Sequence, residues 1–254
     1  MILILSSFVA SNPVGGGAQV LALAGLEIES VLAPTVLFGR HPGLGAPGGA
    51  AIDPAIFEGV LAGIEANGVF GKAEAVITGY FADPAQVAAA ANAIDAVKAA
   101  RPTALIVVDP IMGDAGKGLY VKEAVADAIA RQLVPRADLI TPNAWELERL
   151  SGQPVTGPMS ALAAARSLGR TVLASSIPVE RSIGVLWAGA GEAWLASHPR
   201  APSAPNGTGD LLTCLFTAAL LGGASPADAL ETAVGDVAAQ VLPGATDITL
   251  EALT

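Results

Sequence analysis

The sequence has 254 residues, of which 52% are hydrophobic, 14% charged and 4% aromatic. This balance is the opposite of that in a disordered chain, and it predicts a large core built from Ala, Val, Leu and Ile. The formal net charge of −10 argues against nucleic acid or an anionic membrane as a partner, since either needs a basic face.

Short apolar runs alternate with longer Ala-rich segments along the chain. The predicted strands, in chain order, are residues 2–8, 31–38, 75–78, 105–109, 139–141, 171–174, 183–187 and 192–195. Between them, a capping residue followed by proline predicts helix starts at Asp53, Asp83 and Ser225. This alternation predicts a single α/β domain over residues 1–254, with a mostly parallel sheet and helices on both faces. Ligands of such sheets bind outside the carboxyl ends of the strands.

The cellular compartment is indicated by cysteine usage and by the start of the chain. Cys214 is the one cysteine, so no intramolecular disulfide can form, and a reducing, cytoplasmic compartment fits. The apolar start lacks the basic residues and the length of a signal peptide, and we expect a buried strand there. No apolar run approaches the length of a membrane span.

Residues 39–49 are rich in Gly and Pro, and we interpret them as a flap or site loop. Within this loop, residues 43–48 match G-x-G-x-x-G, a pattern found in dinucleotide-binding proteins. That pattern needs a tight turn from strand to helix, whereas here it lies in a long loop and contains a proline. We therefore expect no nicotinamide or flavin site.

Small residues precede a long apolar segment near the carboxyl end of the chain. Gly207, Thr208 and Gly209 are followed by Asp210 and then by residues 211–221, which predict a buried helix. Such a helix start favours an anion, because small residues allow close approach and the helix dipole is positive there. Asp210 in the first turn could accept the proton of a hydroxyl that attacks a phosphoryl group. Plain helix capping is the alternative.

Two further groups of polar residues follow predicted strands. Asp109 ends a hydrophobic strand, where a buried charge is costly unless it is paired or bound to a cation. Asp109 and Asp114 could place Mg²⁺ directly or through water, or they could cap turns. Asn143 and Glu146 are three residues apart and share a helix face. Their spacing alone favours a capping pair over a site for Mg²⁺-bound water.

Three motifs, in this order and spacing, resemble the ribokinase superfamily and most closely its pyridoxal kinase branch. They are Asp109-Pro110-Ile111-Met112-Gly113-Asp114, Thr141-Pro142-Asn143 with Glu146, and Gly207-Thr208-Gly209-Asp210. The resemblance covers nearly the whole chain and implies a ribokinase-like three-layer α/β/α fold. It also implies ATP-dependent phosphorylation of the 5′-hydroxymethyl group of pyridoxal, pyridoxine or pyridoxamine, as in vitamin B6 salvage. Mg²⁺, a monovalent cation such as K⁺ and a homodimer are further implications.

The resemblance also implies roles for individual residues at the phosphate end. Asp210 would be the catalytic base, and the backbone of Gly207, Thr208 and Gly209 would form the anion hole. The implied ATP-binding residues are Asp109, Asp114, Thr141, Asn143, Glu146, Ser175 and Ser176, with Asp109 and Glu146 in the Mg²⁺ region. Related hydroxymethylpyrimidine kinases commonly carry a cysteine in place of Asp210. Cys214 is one helical turn further on, and we interpret it as a small core residue.

At the substrate end, the resemblance implies a pocket for the pyridine ring. Its residues would be Ser7 at the end of the first strand, Val14, Val36, Phe38, His41 and Tyr80, together with Asp210. Three positions depart from the family pattern: Pro42 replaces a threonine, Leu44 a tyrosine, and the region of Pro47 a tryptophan. The loss of polar partners changes discrimination between substrates, so altered or relaxed substrate choice is expected. Ordinary turn and surface roles are the alternatives for Ser7 and His41.

The departures leave two other functions open. One is a kinase of the same fold that acts on another small alcohol, such as a hydroxymethylpyrimidine or a sugar. The other is a non-catalytic relative that binds a ligand. Retention of Asp210 and of residues 207–209 argues against the second.

Overall fold

The computed structural model describes residues 1–203, 205–242 and 248–254. By their internal contacts, these residues divide into two units. The first unit consists of Met1–Met112 and Leu119–Asp138, and the second of Gly113–Gly118 and Leu139–Thr254. The expectation of a single domain stays a prediction.

The first unit contains a parallel sheet with one antiparallel edge strand. Its strands are β1 (Ile2–Val9), β2 (Ser30–Phe38), β3 (Gly49–Ala51), β4 (Ala75–Thr78) and β5 (Leu105–Val108). They lie in the order β5-β4-β1-β2-β3, and only β2 and β3 pair antiparallel. Residues 2–5 of the central strand β1 are fully buried, as expected for a strand covered on both faces.

The helices of the first unit follow its strands. They are α1 (Gly15–Gly25), α2 (Pro54–Ala66), α3 (Val69–Lys72), α4 (Pro84–Ala100) and α5 (Glu123–Ala128). A short 3₁₀ turn covers Pro42–Leu44, and a π turn and a second 3₁₀ turn follow α5 at Ile129–Leu133 and Val134–Arg136. Helix α1 packs on β1 and β2, and α2 packs on β2 and α4.

The second unit contains mainly antiparallel pairings. Its strands are β6 (Gly113–Asp114), β8 (Leu139–Ile140), β9 (Thr171–Val179), β10 (Ser182–Ala188), β11 (Ala193–Pro199) and β12 (Thr249–Leu253), while β7 (Gly118–Leu119) begins in it. Strands β8 and β9 are parallel, whereas β9, β10, β11 and β12 pair antiparallel in succession. The sheet is therefore mixed, because β9 to β11 are joined by turns too short for a parallel crossover.

The second unit also contains four helices of a full turn or more among its described residues. They are α6 (Ala144–Ser151), α7 (Pro158–Ser167), α8 (Thr208–Leu221) and α9 (Pro226–Val241). Helix α7 packs on β9 and β10, and α9 packs on β10 and β11. No helix in the described parts of the chain is long and apolar enough to cross a membrane.

The three predicted helix starts are confirmed. The carboxylate of Asp53 accepts from the N–H of Ala55 at 2.9 Å, and that of Asp83 accepts from Ala85 at 2.8 Å. The hydroxyl of Ser225 accepts from the N–H of Asp228 at 3.2 Å. In each case the next residue is a proline at the first helical position, where no hydrogen bond is lost.

Several predicted boundaries are wrong. Ser7 lies inside β1 and not at its end. Gly49, which the sequence places in the loop, begins β3, and the edge strand β12 was not predicted. Strand β9 continues past residue 174 to Val179. The error at β9 has a physical cause, because the polar residues Ser175 and Ser176 ended the predicted strand although cross-strand pairing extends it.

Candidate active site

A β-bulge lies beside Ser7 in the first unit. Ser6 pairs with Pro34 and Phe8 with Leu37, so β2 has one residue more than β1 between these pairs. Thr35 and Val36 therefore lie opposite the single residue Ser7. Bulges bend a strand and redirect its side chains, and they are common next to active sites. Ser7 and Val36, both predicted substrate residues, are brought together at this irregularity, and both are buried.

Gly15, at the start of α1, packs directly against Ser7. A Cβ atom on Gly15 would collide with the Ser7 hydroxyl oxygen, and φ at this glycine is +59°. The preceding residue, Val14, is buried and is the N-cap of α1. The start of α1 therefore lies against Ser7. This close approach requires glycine at position 15, because any side chain there would collide with the serine.

Two hydroxyl groups hold the backbone of Tyr80. The Thr35 hydroxyl donates to the Tyr80 carbonyl oxygen at 2.6 Å, and the Tyr80 N–H donates to the Ser6 hydroxyl oxygen at 3.3 Å. The side chain of Tyr80 is half-buried, and this burial raises the pKa of its phenol above the ordinary value. The phenol is therefore neutral at physiological pH and able to donate a hydrogen bond.

His41 lies in the hairpin loop between β2 and β3. Its ring Nδ1 accepts from the N–H of Gly43 at 3.0 Å, and its own N–H donates to the Asn12 side chain at 2.9 Å. The histidine thus caps the 3₁₀ turn that Pro42 begins. The loop leads into strand β3 and not into a helix, so the G-x-G-x-x-G pattern lacks its required context. Phe38, at the other end of the loop, is partly buried.

Asp109 directly follows β5 and is only 6% exposed. Its N–H donates to the carbonyl oxygen of Thr78 at the end of β4, at 3.2 Å. A carboxylate therefore lies at the carboxyl ends of two neighbouring parallel strands, where α/β proteins bind their ligands. Its predicted role in binding ATP and Mg²⁺ stays a prediction.

In the second unit, Asp210 lies in the first turn of α8. The N-cap is Gly207, with φ of +97°, a left-handed conformation that glycine adopts without strain. Thr208 and Gly209 follow as the first helical residues, so their N–H groups have no acceptor within the helix. The predicted helix is confirmed, and it begins three residues earlier than residue 211. The arrangement suits an anion, although the anion-hole role itself stays a prediction.

Cys214 lies one turn after Asp210 and is fully buried. Burial, and next the negative charge of Asp210, raise the pKa of the Cys214 thiol from 9.0 to about 12. Such a thiol is neutral and unreactive at physiological pH. The interpretation of Cys214 as a core residue therefore agrees with its surroundings.

A hydrogen bond between two buried threonines links the residues after β8 to α8. The hydroxyl of Thr213, on α8, donates to the hydroxyl of Thr141 at 2.9 Å. Thr217 in turn donates to the carbonyl oxygen of Thr213 at 2.7 Å. The predicted ATP-binding residue Thr141 is therefore attached to the helix that carries Asp210.

Asn143 and Glu146 form a capping box at the start of α6. The Asn143 side chain accepts from the N–H of Glu146, and the Glu146 carboxylate accepts from the N–H of Asn143, both at 2.9 Å. Both side chains also hold Gly113: Glu146 accepts from its N–H at 3.2 Å, and Asn143 donates to its carbonyl oxygen at 2.8 Å. This fixes the backbone beside Asp114. The capping interpretation of the pair is confirmed, and Gly113 is a partner that the spacing did not reveal.

A second β-bulge occurs at Ser175 and Ser176. Ala174 pairs with Leu186 and Ile177 with Gly184, so these two serines lie opposite the single residue Val185. Ser176 has φ of +61°, which is unusual for a serine and typical of a bulge. The Ser175 N–H donates to the carbonyl oxygen of Pro142 at 2.9 Å, which places the bulge beside Asn143. The predicted nucleotide-binding serines thus lie next to the predicted phosphate residues.

No group of three or more His, Cys, Asp or Glu side chains that could hold a metal ion occurs in the described parts of the chain. The Glu146 carboxylate already accepts two backbone N–H groups. The predicted places of Asp109 and Glu146 near Mg²⁺ stay predictions. Mg²⁺ in nucleotide sites takes most of its ligands from phosphates and water.

The chain is similar to known kinases over most of its length. The model of the family described as phosphomethylpyrimidine kinase matches residues 55–246. The chain belongs to this family. A pyridoxal kinase, PdxY, of Deinococcus radiodurans is 38% identical over 229 residues, which are 85% of this chain and 77% of that protein. A pyridoxine/pyridoxal/pyridoxamine kinase of Bordetella avium is 35% identical over 235 residues, 89% of this chain and 79% of that protein.

Solved structures confirm the ribokinase-like α/β fold of this family member. Pyridoxal kinase of Entamoeba histolytica matches with a TM-score of 0.90 and 26% identity, over 99% of each chain. Pyridoxal kinase of Leishmania donovani, in complex with ADP and pyridoxamine, matches with a TM-score of 0.87 and 26% identity. That match covers 98% of this chain and 90% of the other.

Proposed function

We propose that this chain is an ATP-dependent kinase that phosphorylates the 5′-hydroxymethyl group of pyridoxal, pyridoxine or pyridoxamine. The observation that carries the proposal is the start of α8, where a left-handed Gly207 precedes two small residues and Asp210. Its relatives support the substrate class, since they include pyridoxal kinases that match at 32–38% identity over most of the chain.

The chemistry proposed for α8 requires a base and an anion site. Asp210 accepts the proton of the substrate hydroxymethyl group as its oxygen attacks the γ-phosphorus of ATP. The N–H groups at the start of α8 stabilise the negative charge on the transferred phosphoryl oxygens. Most of the catalysis then comes from positioning and electrostatics, as in other phosphoryl transfers.

The remaining polar residues of the second unit support the nucleotide. In the proposal, Thr141, Asn143 and the serine bulge at Ser175 contact ATP, and Glu146 holds the backbone beside Asp114. Glu146 would lie near the Mg²⁺ that accompanies the nucleotide, and that ion would neutralise phosphate charge. A monovalent cation, a homodimer and a cytoplasmic location are part of the proposal; the first two rest on family resemblance and the last on cysteine usage.

The test is to incubate the purified protein with Mg-ATP and each B6 vitamer and to measure the release of ADP. We expect activity with at least one vitamer and its loss in Asp210→Asn. A folded protein that turns over no vitamer would contradict the substrate assignment.

A second candidate is a kinase of the same family that acts on a hydroxymethylpyrimidine. The match to the phosphomethylpyrimidine kinase model favours it, as do Pro42 and Leu44, which depart from the pyridoxal kinase pattern. Ligand-induced thermal shifts across vitamers, hydroxymethylpyrimidines and sugars separate the candidates. A larger shift with a pyrimidine than with every vitamer would favour this second function.

A further inference from the structure

One buried side chain, that of Gln86 on α4, joins three segments of the first unit. Its amide nitrogen donates to the carbonyl oxygen of Thr35 at 2.8 Å and to that of Ile52 at 2.7 Å. Its amide oxygen accepts from the N–H of Ala82 at 3.0 Å. Gln86 is 0% exposed, so its amide group makes these bonds from a fully buried position.

The three segments carry residues that are predicted to contact the alcohol substrate. Thr35 belongs to the β2 bulge, next to Val36 and opposite Ser7. Ile52 directly follows β3, the strand at the end of the loop that contains His41. Ala82 lies in the turn that begins with Tyr80. One amide group therefore connects the β2 bulge, the end of β3 and the turn of Tyr80.

Thr35 is the second member of this network. Its backbone carbonyl oxygen accepts from both the Gln86 side chain and the N–H of Ile52. Its hydroxyl donates to the carbonyl oxygen of Tyr80 at 2.6 Å, and the residue is 0% exposed. A buried carbonyl and a buried amide that lost these partners would be left unsatisfied, so the arrangement is rigid.

We infer that Gln86 and Thr35 are positioning residues for the alcohol substrate, because they hold the Tyr80 turn, the β2 bulge and the end of β3 in one arrangement. The inference rests on the proposed function. Neither residue contacts the reacting atoms; each acts through Tyr80, Val36 and the loop of His41. Loosening the network should therefore weaken binding of the alcohol and leave binding of ATP unchanged.

The decisive variants are Gln86→Met, which keeps the volume but removes three hydrogen bonds, and Thr35→Val, which removes the bond to Tyr80. We expect the KM for pyridoxal to rise about tenfold in each, since about 1.4 kcal/mol of lost interaction corresponds to a factor of ten. The KM for ATP should stay within about twofold of the wild-type value. Thr35→Ser keeps the hydroxyl and should restore the wild-type KM.

Val97→Ala is the matched control, because it removes buried volume from the same helix without touching the network. It should lower Tm, as Gln86→Met does, with both KM values unchanged. If Gln86→Met changes neither KM, or changes both equally, the inference is wrong. If Gln86→Met does not fold, the pair Thr35→Val and Thr35→Ser decides, and equal KM values in that pair would overturn the inference.

Amide hydrogen exchange provides a measurement that needs no turnover. The amides of Tyr80 and Ala82 should exchange faster in Gln86→Met than in Val97→Ala, and unchanged exchange would also overturn the inference. A wild-type protein that turns over no vitamer rejects the proposed function and the substrate named here. An active wild-type protein with unchanged KM values in the variants rejects the inference alone.

Discussion

The residues assigned to phosphate and those assigned to the alcohol are held by different kinds of structure. In the second unit, several of them lie at helix starts: Asn143 and Glu146 cap α6, and Gly207 begins α8. In the first unit, the assigned residues lie on a strand bulge, a turn and an exposed Gly/Pro loop. The helix starts on the phosphate side are thus capped by residues close in sequence, whereas the alcohol side depends on contacts between distant segments. Substitutions on the phosphate side should therefore alter the chemistry or the stability, and substitutions on the alcohol side should alter binding of the alcohol.

The largest expected effect is that of Asp210→Asn, which removes the base but keeps the side-chain shape. We expect kcat to fall by about 10²–10⁴-fold, the range typical of general-base catalysis, with little change in KM or Tm. Steady-state ADP release measures it. Asp228→Asn, in the first turn of α9, is the control and should keep wild-type kcat. A residual kcat above a tenth of wild type in Asp210→Asn would refute the assignment of the base.

Glu146→Ala should come next, because it removes the acceptor for two backbone N–H groups from a side chain that is 2% exposed. Unsatisfied buried donors cost about 3 kcal/mol for the pair, so Tm should fall by about 10 °C. Thermal unfolding followed by circular dichroism measures it. Glu231→Ala, on the exposed face of α9, should leave Tm unchanged. An unchanged Tm in Glu146→Ala would show that the phosphate side is not held as we describe.

The thiol of Cys214 should make the stability of the chain fall at high pH. The folded thiol keeps its proton up to a pKa of about 12, whereas its ordinary pKa is 9.0. Unfolding therefore releases a proton in this window, and the contribution is complete below pH 9 and lost as pH rises towards 12. Between pH 8 and pH 10 the free energy of unfolding should fall by about 1 kcal/mol more than in Cys214→Ala. Urea unfolding at both pH values measures it, and parallel pH profiles in the two proteins would contradict it.

The smallest effects are expected on the alcohol side. Pro42→Thr and Leu44→Tyr restore side chains of the family pattern in an exposed loop. Each should lower the KM for pyridoxal by less than about tenfold and leave the KM for ATP unchanged, because one added hydrogen bond contributes about 1 kcal/mol. Kinetics with both substrates varied measure this. A change in the KM for ATP would show that the loop also affects the phosphate side, which would contradict the separation of the phosphate side from the alcohol side.

Local motifs were predictable from the sequence, and long-range partners were not. The caps at Asp53, Asp83 and Ser225 depend on residues two or three positions away, so their pattern is visible in the sequence. Gln86 gives no such signal, because its partners Thr35 and Ile52 are 51 and 34 residues away. A glutamine in the first turn of an Ala-rich helix is usually exposed, so the sequence does not indicate that Gln86 is buried.

The site shows the same division. Asp210 and the small residues before it were placed correctly at a helix start, because glycine and helix periodicity are local features. The bulge at Ser175 and Ser176 was missed, since it depends on the register with β10 and not on the two serines themselves. The role of Gly113 was missed for a similar reason, because its partner Glu146 is 33 residues away.

The Glu146 carboxylate has a consequence for motion. It accepts hydrogen bonds from the backbone N–H groups of both Asn143 and Gly113. If the segment of either residue opens, the buried carboxylate loses one of these partners. We therefore expect the start of α6 and the turn that begins at Gly113 to open as one cooperative unit. Their amides should lose protection together and with the same free energy, although their exposure to solvent differs.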